Sequence, residues 1–140
     1  MTNKGSKSSD YPESLEDLVL RMETKSGPWW EDRSTRDNNI VTIDNWSDPL
    51  AIEALVFLYD NKLILDFDWG SWQEGRDFWG IEDESKYETL DKEYVLKLLT
   101  AVARNSRFNE GAWALLFQSG TAQKLFRRLL EIEKVEKSSS

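Results

Sequence analysis

Apolar residues return along this chain mostly at helical spacing. After Pro12-Glu13-Ser14, Leu15, Leu18, Val19 and Met22 fall at i, i+3, i+4 and i+7, which predicts a short amphipathic helix ending before Ser26-Gly27-Pro28. From Trp29 to Asp44 no period holds, so the segment reads as a loop with at most a short strand at Ile40-Val41-Thr42-Ile43. Ser47 or Asp48 before Pro49 is a helix start, because Pro at the first helical position forfeits no hydrogen bond. Leu50 to Tyr59 is apolar on nearly every side, the pattern of a central buried helix. Asp60-Asn61 makes a turn, and Lys62 to Asp68 then alternates, with Leu63, Leu65 and Phe67 on one side of a predicted strand. Trp69 to Lys86 is an aromatic, acidic, glycine-punctuated connection with a helical turn around Ser71 to Phe78.

The last third predicts three helices. Leu90, Tyr94, Val95, Leu98, Leu99 and Val102 share one face of a helix running from Thr89 or Asp91 to about Asn105. Asn109 is a cap for a second helix over Glu110 to Gln118, and Ser119-Gly120-Thr121 separates it from a third, Ala122 to about Lys134. The fold class that follows is mainly α (α+β): a compact single-domain bundle of five or six helices with a minor strand or hairpin element near 40–43 and 62–68. Residues 11–134 form the globular domain, between tails at 1–10 and 135–140.

Composition narrows the chemistry. The 140 residues include no Cys and no His, which removes thiolate nucleophiles, disulfides, triad hydrolases and His- or Cys-ligated metals. The net charge of −8 is unevenly placed: −2 over residues 1–43, −10 over 44–93 and +4 over 94–140. An acidic middle repels phosphates, so the expected partner is a basic protein surface, with no direct nucleic acid and no membrane. Met1 to Asp10 has no apolar run of the kind a signal peptide needs, and the expected location is cytoplasmic. No cofactor is called for.

Two motifs carry a resemblance. Phe67-Asp68-Trp69 with Trp72, followed by Arg104 and Arg107-Phe108-Asn109-Glu110-Gly111, resembles an uncharacterised prokaryotic and phage family of unknown function. Its pattern reads as FDWxxW after a strand and RxxRFxEG at a helix end, and the likeness spans about residues 47–133. The resemblance implies a mostly α fold with a minor strand element. It supplies no reaction, cofactor or catalytic residue.

Two constellations are candidates for function. Asp66 and Asp68, two apart on the predicted strand, would project from one face about 7 Å apart. With Glu74, Asp77 or Glu110 they could hold Mg²⁺ or act as an acid and base; alternatively they pair with Arg104 and Arg107 in an ionic clasp between strand and helix. Arg104, Arg107 and Glu110 could receive a phosphate at a helix start, or simply complement two helix dipoles. The second constellation is aromatic. Trp69, Trp72 and Trp79, with Phe67 and Phe78, exceed what so small a core absorbs; about four of the seven Trp should be core and the others are anchor candidates. The expected binding residues are Trp69, Trp72, Asp77, Trp79, Glu82, Asp83 and Glu84, and the alternative polar site is Asp66, Asp68, Arg104, Arg107 and Glu110. The functional expectation is a non-catalytic acidic protein that docks a basic surface of another protein, one form being a phage or mobile-element inhibitor of host defence that imitates nucleic acid. The alternative is a small-ligand or nucleotide-binding, hydrolytic domain using the polar site, with Mg²⁺ as a candidate ion.

Overall fold

The computed structural model describes residues 12–42, 45–106 and 111–138. Helix α1, Leu15–Thr24, starts where Ser14 accepts a hydrogen bond from the Asp17 N–H at 3.1 Å, and it buries Leu15, Leu18, Val19 and Met22. Its predicted apolar face is therefore the observed one. Two strand pairs follow: β1 (Trp30–Asp32) with β4 (Asn45–Ser47), and β2 (Thr35–Asp37) with β3 (Ile40–Thr42). Both are antiparallel and keep one register, Trp30 opposite Ser47 and Asp37 opposite Ile40, so they are two stretches of the same β-ribbon. Asn38 and Asn39 turn it with φ of 52° and 70°, the left-handed pair that a two-residue hairpin loop requires and Asn tolerates. The segment expected to be mostly loop is thus an arm. Its strand pattern is weak because its outer half, Thr35 to Thr42, is exposed on every side and has no buried face to impose alternation. Ile43, the end of the predicted strand, lies outside the described residues.

Helix α2, Pro49–Asp60, begins with Asp48 accepting from the Leu50 N–H at 2.8 Å. It is not the central buried helix. Only the small-residue face of Ala51, Ala54 and Leu58 is buried, while Ile52, Val56 and Tyr59 are exposed. The core centres instead on α4 (Lys92–Asn105) and α6 (Thr121–Ser138); α6 packs on α1, on α4 and on the intervening α5, Ala112–Gln118. Those helices carry one-sided stripes, Val95, Leu98, Leu99 and Ala103 on α4 and Leu125, Phe126 and Leu129 on α6, which can face several neighbours at once. α6 continues to Ser138, through part of the stretch read as a tail. The Asn109 cap predicted for α5 lies outside the described residues; within them the helix is preceded by Gly111 at φ 92°. A Cβ there would meet the Trp30 indole at 3.1 Å, so this glycine also admits the base of the ribbon against α5.

The strand predicted at 62–68 is absent. α2 ends in a Schellman turn: Leu63 N–H donates to the Leu58 carbonyl at 2.8 Å and Lys62 N–H to Tyr59 at 3.1 Å, with Lys62 held at φ 58°. No partner strand follows among the described residues. The Leu65 N–H is satisfied instead by the fully buried Thr100 hydroxyl of α4, 3.0 Å away, while Leu63, Ile64 and Leu65 pack on the core as irregular chain. Lys62 occupies the position where glycine is unstrained, so Lys62→Gly should raise stability by about 0.5–1 kcal/mol, read as a higher denaturant midpoint at unchanged slope.

Candidate functional site

The chain leaves the Thr100 contact through Asp66, Phe67 and Asp68 into a 3₁₀ turn at Trp69–Ser71 and then helix α3, Gln73–Trp79. Within α3, Gly75 and Phe78 face inward. Trp72, immediately before it, folds back over the first turn. A Cβ on Gly75 would overlap Cε3, Cζ3 and Cδ2 of the Trp72 ring, so only glycine lets the indole lie flat there. Phe67 meets Trp72 edge-on at 5.5 Å, and Tyr94 of α4 supports it from behind at 5.4 Å. Phe78 then links Tyr94, Trp79 and Tyr87 at 5.5–5.7 Å between ring centroids.

This arrangement leaves an open cleft of about 270 Å³ between the aromatic segment and α4, lined by Trp69, Trp72, Trp79, Arg76, Val102 and Asn105, among others. Three of the predicted binding residues therefore meet at one cleft. Arg76 donates to the Gly70 carbonyl and ties the 3₁₀ turn to α3. Asp77 sits beside Arg76 and accepts a hydrogen bond from Gln73 at 2.9 Å. The remaining predicted residues go elsewhere. Asp83 accepts from the Ser85 N–H at 3.0 Å and caps a second 3₁₀ turn, Glu84–Thr89, and this backbone bond holds its carboxyl below the usual range. Glu84 pairs with Lys124 of α6, and Glu82 is exposed in the segment between α3 and that turn.

Residues 66–84 carry seven acidic side chains against one basic. Six of the seven, Asp66, Asp68, Glu74, Asp77, Glu82 and Asp83, make no ion pair among the described residues, and neither does Arg76. The chain already brings ammonium groups to these rings: Lys97 Nζ lies 5.4 Å from the Phe67 ring and 5.6 Å from Trp72, and Lys86 Nζ lies 4.4 Å from Phe78. Burial, and after it the Glu74 carboxylate, pushes the Tyr94 phenol above its ordinary range, which keeps it neutral.

Of the polar constellation, only Asp66, Asp68 and Arg104 lie among the described residues. Asp66 and Asp68 are exposed, and neither pairs with Arg104 at the end of α4 among the described residues; Arg107 and Glu110 lie outside them. Among the described residues this segment is tied to α4 by a neutral hydrogen bond, Leu65 to Thr100, and by apolar packing, which cost neither carboxylate its solvation. Among the described residues no group of three or more carboxylates is gathered for a metal ion. The expectation of four core Trp is also revised: Trp29 and Trp113 are buried, Trp30, Trp46, Trp69 and Trp72 are half-buried, and Trp79 is exposed. Trp113 takes its place by donating to the Ala51 carbonyl at 2.7 Å, and Trp29 by donating its backbone N–H to Gln118.

Sequence reasoning overlooked Gly75, Arg76 and Asn105. A signal for the first two existed, since Trp72, Gly75, Arg76 and Trp79 lie at i, i+3, i+4 and i+7. Asn105 gave none; its distance along the chain is closed only by the packing of α4 against the 3₁₀ turn.

Residues 13–135 match a family of unknown function, DUF6508. The chain belongs to that family. The DUF6508 match reaches well upstream of the segment in which the motif resemblance was read, so α1, the β-ribbon and α2 are parts of the family's domain. No curated protein and no solved structure matches the chain. Among the described residues no helix is long and apolar enough to cross a membrane.

Proposed function

We propose that this DUF6508 chain is a non-catalytic binding protein that docks a basic segment of another protein on the face formed by residues 66–82. The observation that carries the reading is the convergence of Trp69, Trp72 and Trp79 on one open cleft, in a stretch whose five carboxylates find no ion-pair partner among the described residues. Trp is the side chain most often found as an energetic anchor at interfaces, and uncompensated charge around an anchor sets approach rate and partner choice. The finer form, an anti-defence protein imitating nucleic acid, has less support, because Asp83 and Glu84 are committed to Ser85 and Lys124. The hydrolytic alternative has no observation in its favour among the described residues.

A lysine-rich peptide should bind this protein, and a glutamate-rich one of equal length should not. Affinity should fall at least tenfold between about 0.05 and 0.5 M salt, where the screening length shrinks to roughly 4 Å, and again in the double variant Glu74→Gln, Asp77→Asn. Calorimetric titration reads both. Binding unchanged by salt and by the double variant would remove the acidic face from the reading.

A further inference from the structure

The cleft and its rim differ in what they can accept. A volume of about 270 Å³ is at the lower edge of small-molecule pockets, enough for one side chain and too little for a nucleotide or an organic cofactor. The cleft is lined by Trp69, Trp72, Trp79 and Val102, with Asn105 and Arg76 as the polar residues. The single basic residue of the segment, Arg76, lines this cleft and has no carboxylate partner among the described residues. An ammonium or guanidinium entering the cleft would meet that charge at close range, while a neutral ring would not. At the rim the sign reverses: Asp68 Oδ1 lies 3.9 Å from the position a Cβ on the cleft-lining Gly70 would take, and Glu74 and Asp77 are exposed on α3.

We infer that the cleft takes one neutral aromatic side chain of the partner, Phe, Tyr or Trp, from a segment whose flanking Lys or Arg residues meet Asp68, Glu74 and Asp77. The inference rests on the reading of the acidic face given above and adds the identity of the anchor. Offset or edge-on stacking on Trp69, Trp72 and Trp79 selects a ring over an aliphatic chain. The carboxylates select the flanking charges, and Arg76 rejects a cation at the centre. The site reads an aromatic residue between basic ones.

The probes are four nine-residue peptides with lysine-rich flanks and Tyr, Phe, Ala or Arg at the centre, titrated into the full chain by calorimetry. The indole N–H signals of Trp69, Trp72 and Trp79 are followed by NMR. The Tyr and Phe peptides should bind about tenfold tighter than the Ala and Arg peptides, the increment of burying one ring, and should shift all three indole signals. Trp79→Ala should erase the preference of the Tyr and Phe peptides over the Ala peptide; its folding is checked by circular dichroism, and Trp69→Ala serves if it fails. Equal binding of all four peptides, or tighter binding of Arg, overturns the aromatic anchor and leaves the acidic face standing. Failure of every basic peptide to bind overturns both.

Discussion

Phe117→Ala should cost about 3–5 kcal/mol and lower the melting temperature by roughly 10–20 °C. Phe117 is 1% exposed, and three rings converge on it: Trp29 at 4.8 Å, Trp113 at 5.3 Å and Phe126 at 6.2 Å between centroids. It therefore joins the base of the β-ribbon to α5 and α6. Refilling of the space a lost ring leaves is limited, because the Trp113 indole is held by the Ala51 carbonyl and the Trp29 backbone by Gln118. The loss would consume a large part of the 5–15 kcal/mol that stabilises a typical domain. Leu115→Ala on the same helix, 46% exposed, should shift the midpoint by only about 0.5 kcal/mol, so thermal unfolding of the pair separates packing from helix propensity. A drop below about 2 °C for Phe117→Ala would show that the ring cluster does not bear on stability.

Gly75→Ala should destabilise by about 1–2 kcal/mol, against the usual gain of up to 1 kcal/mol when alanine replaces glycine in a helix. The new methyl would occupy the place of the Trp72 ring, so the indole must swing off α3 and lose its contacts with Phe67 and Tyr94. Reversal of sign tests this cause. In a Trp72→Ala background the obstruction is gone, and the same Gly75→Ala change should stabilise by about 0.5–1 kcal/mol. Denaturant midpoints of the four proteins give the coupling directly, and additivity would show that Trp72 does not rest on Gly75. The single variant should also lose the preference for an aromatic peptide, since the cleft loses one wall.

Much of the helical part of the fold was legible. The helix starts after Ser14, at Asp48-Pro49 and near Asp91, and the stop at Gly120, are local signals that act within a few residues, and tertiary context left them in place. The one-sided stripes of α1, α4 and α6 survived for a related reason, since a helix with one apolar face has one way to bury it. α2 failed the same test. Apolar on most sides, its sequence does not say which face is inside, and the small residues Ala51 and Ala54 were chosen because they allow close approach. Leu63 to Phe67 failed for a different reason: alternation fits a strand only if a second strand is present to accept its hydrogen bonds, and here Thr100 accepts one instead. The β-ribbon shows the converse, a pairing fixed by the Asn38-Asn39 turn and one register, with little alternation to announce it.

By itself, the sequence determined the chemical limits of this protein: no imidazole, no thiol, a −10 middle and an excess of Trp in that middle. It also determined most helix boundaries, because capping and periodicity are local. The tertiary structure decided which of these features meet. It set Trp69, Trp72 and Trp79 around one cleft by folding Trp72 over Gly75, drew Arg76 and Asn105 into the same cleft, and left Asp66 and Asp68 at the surface without Arg104. Local rules cannot draw α4 into that cleft, since it depends on the packing of α4 against a 3₁₀ turn about twenty residues upstream in the chain.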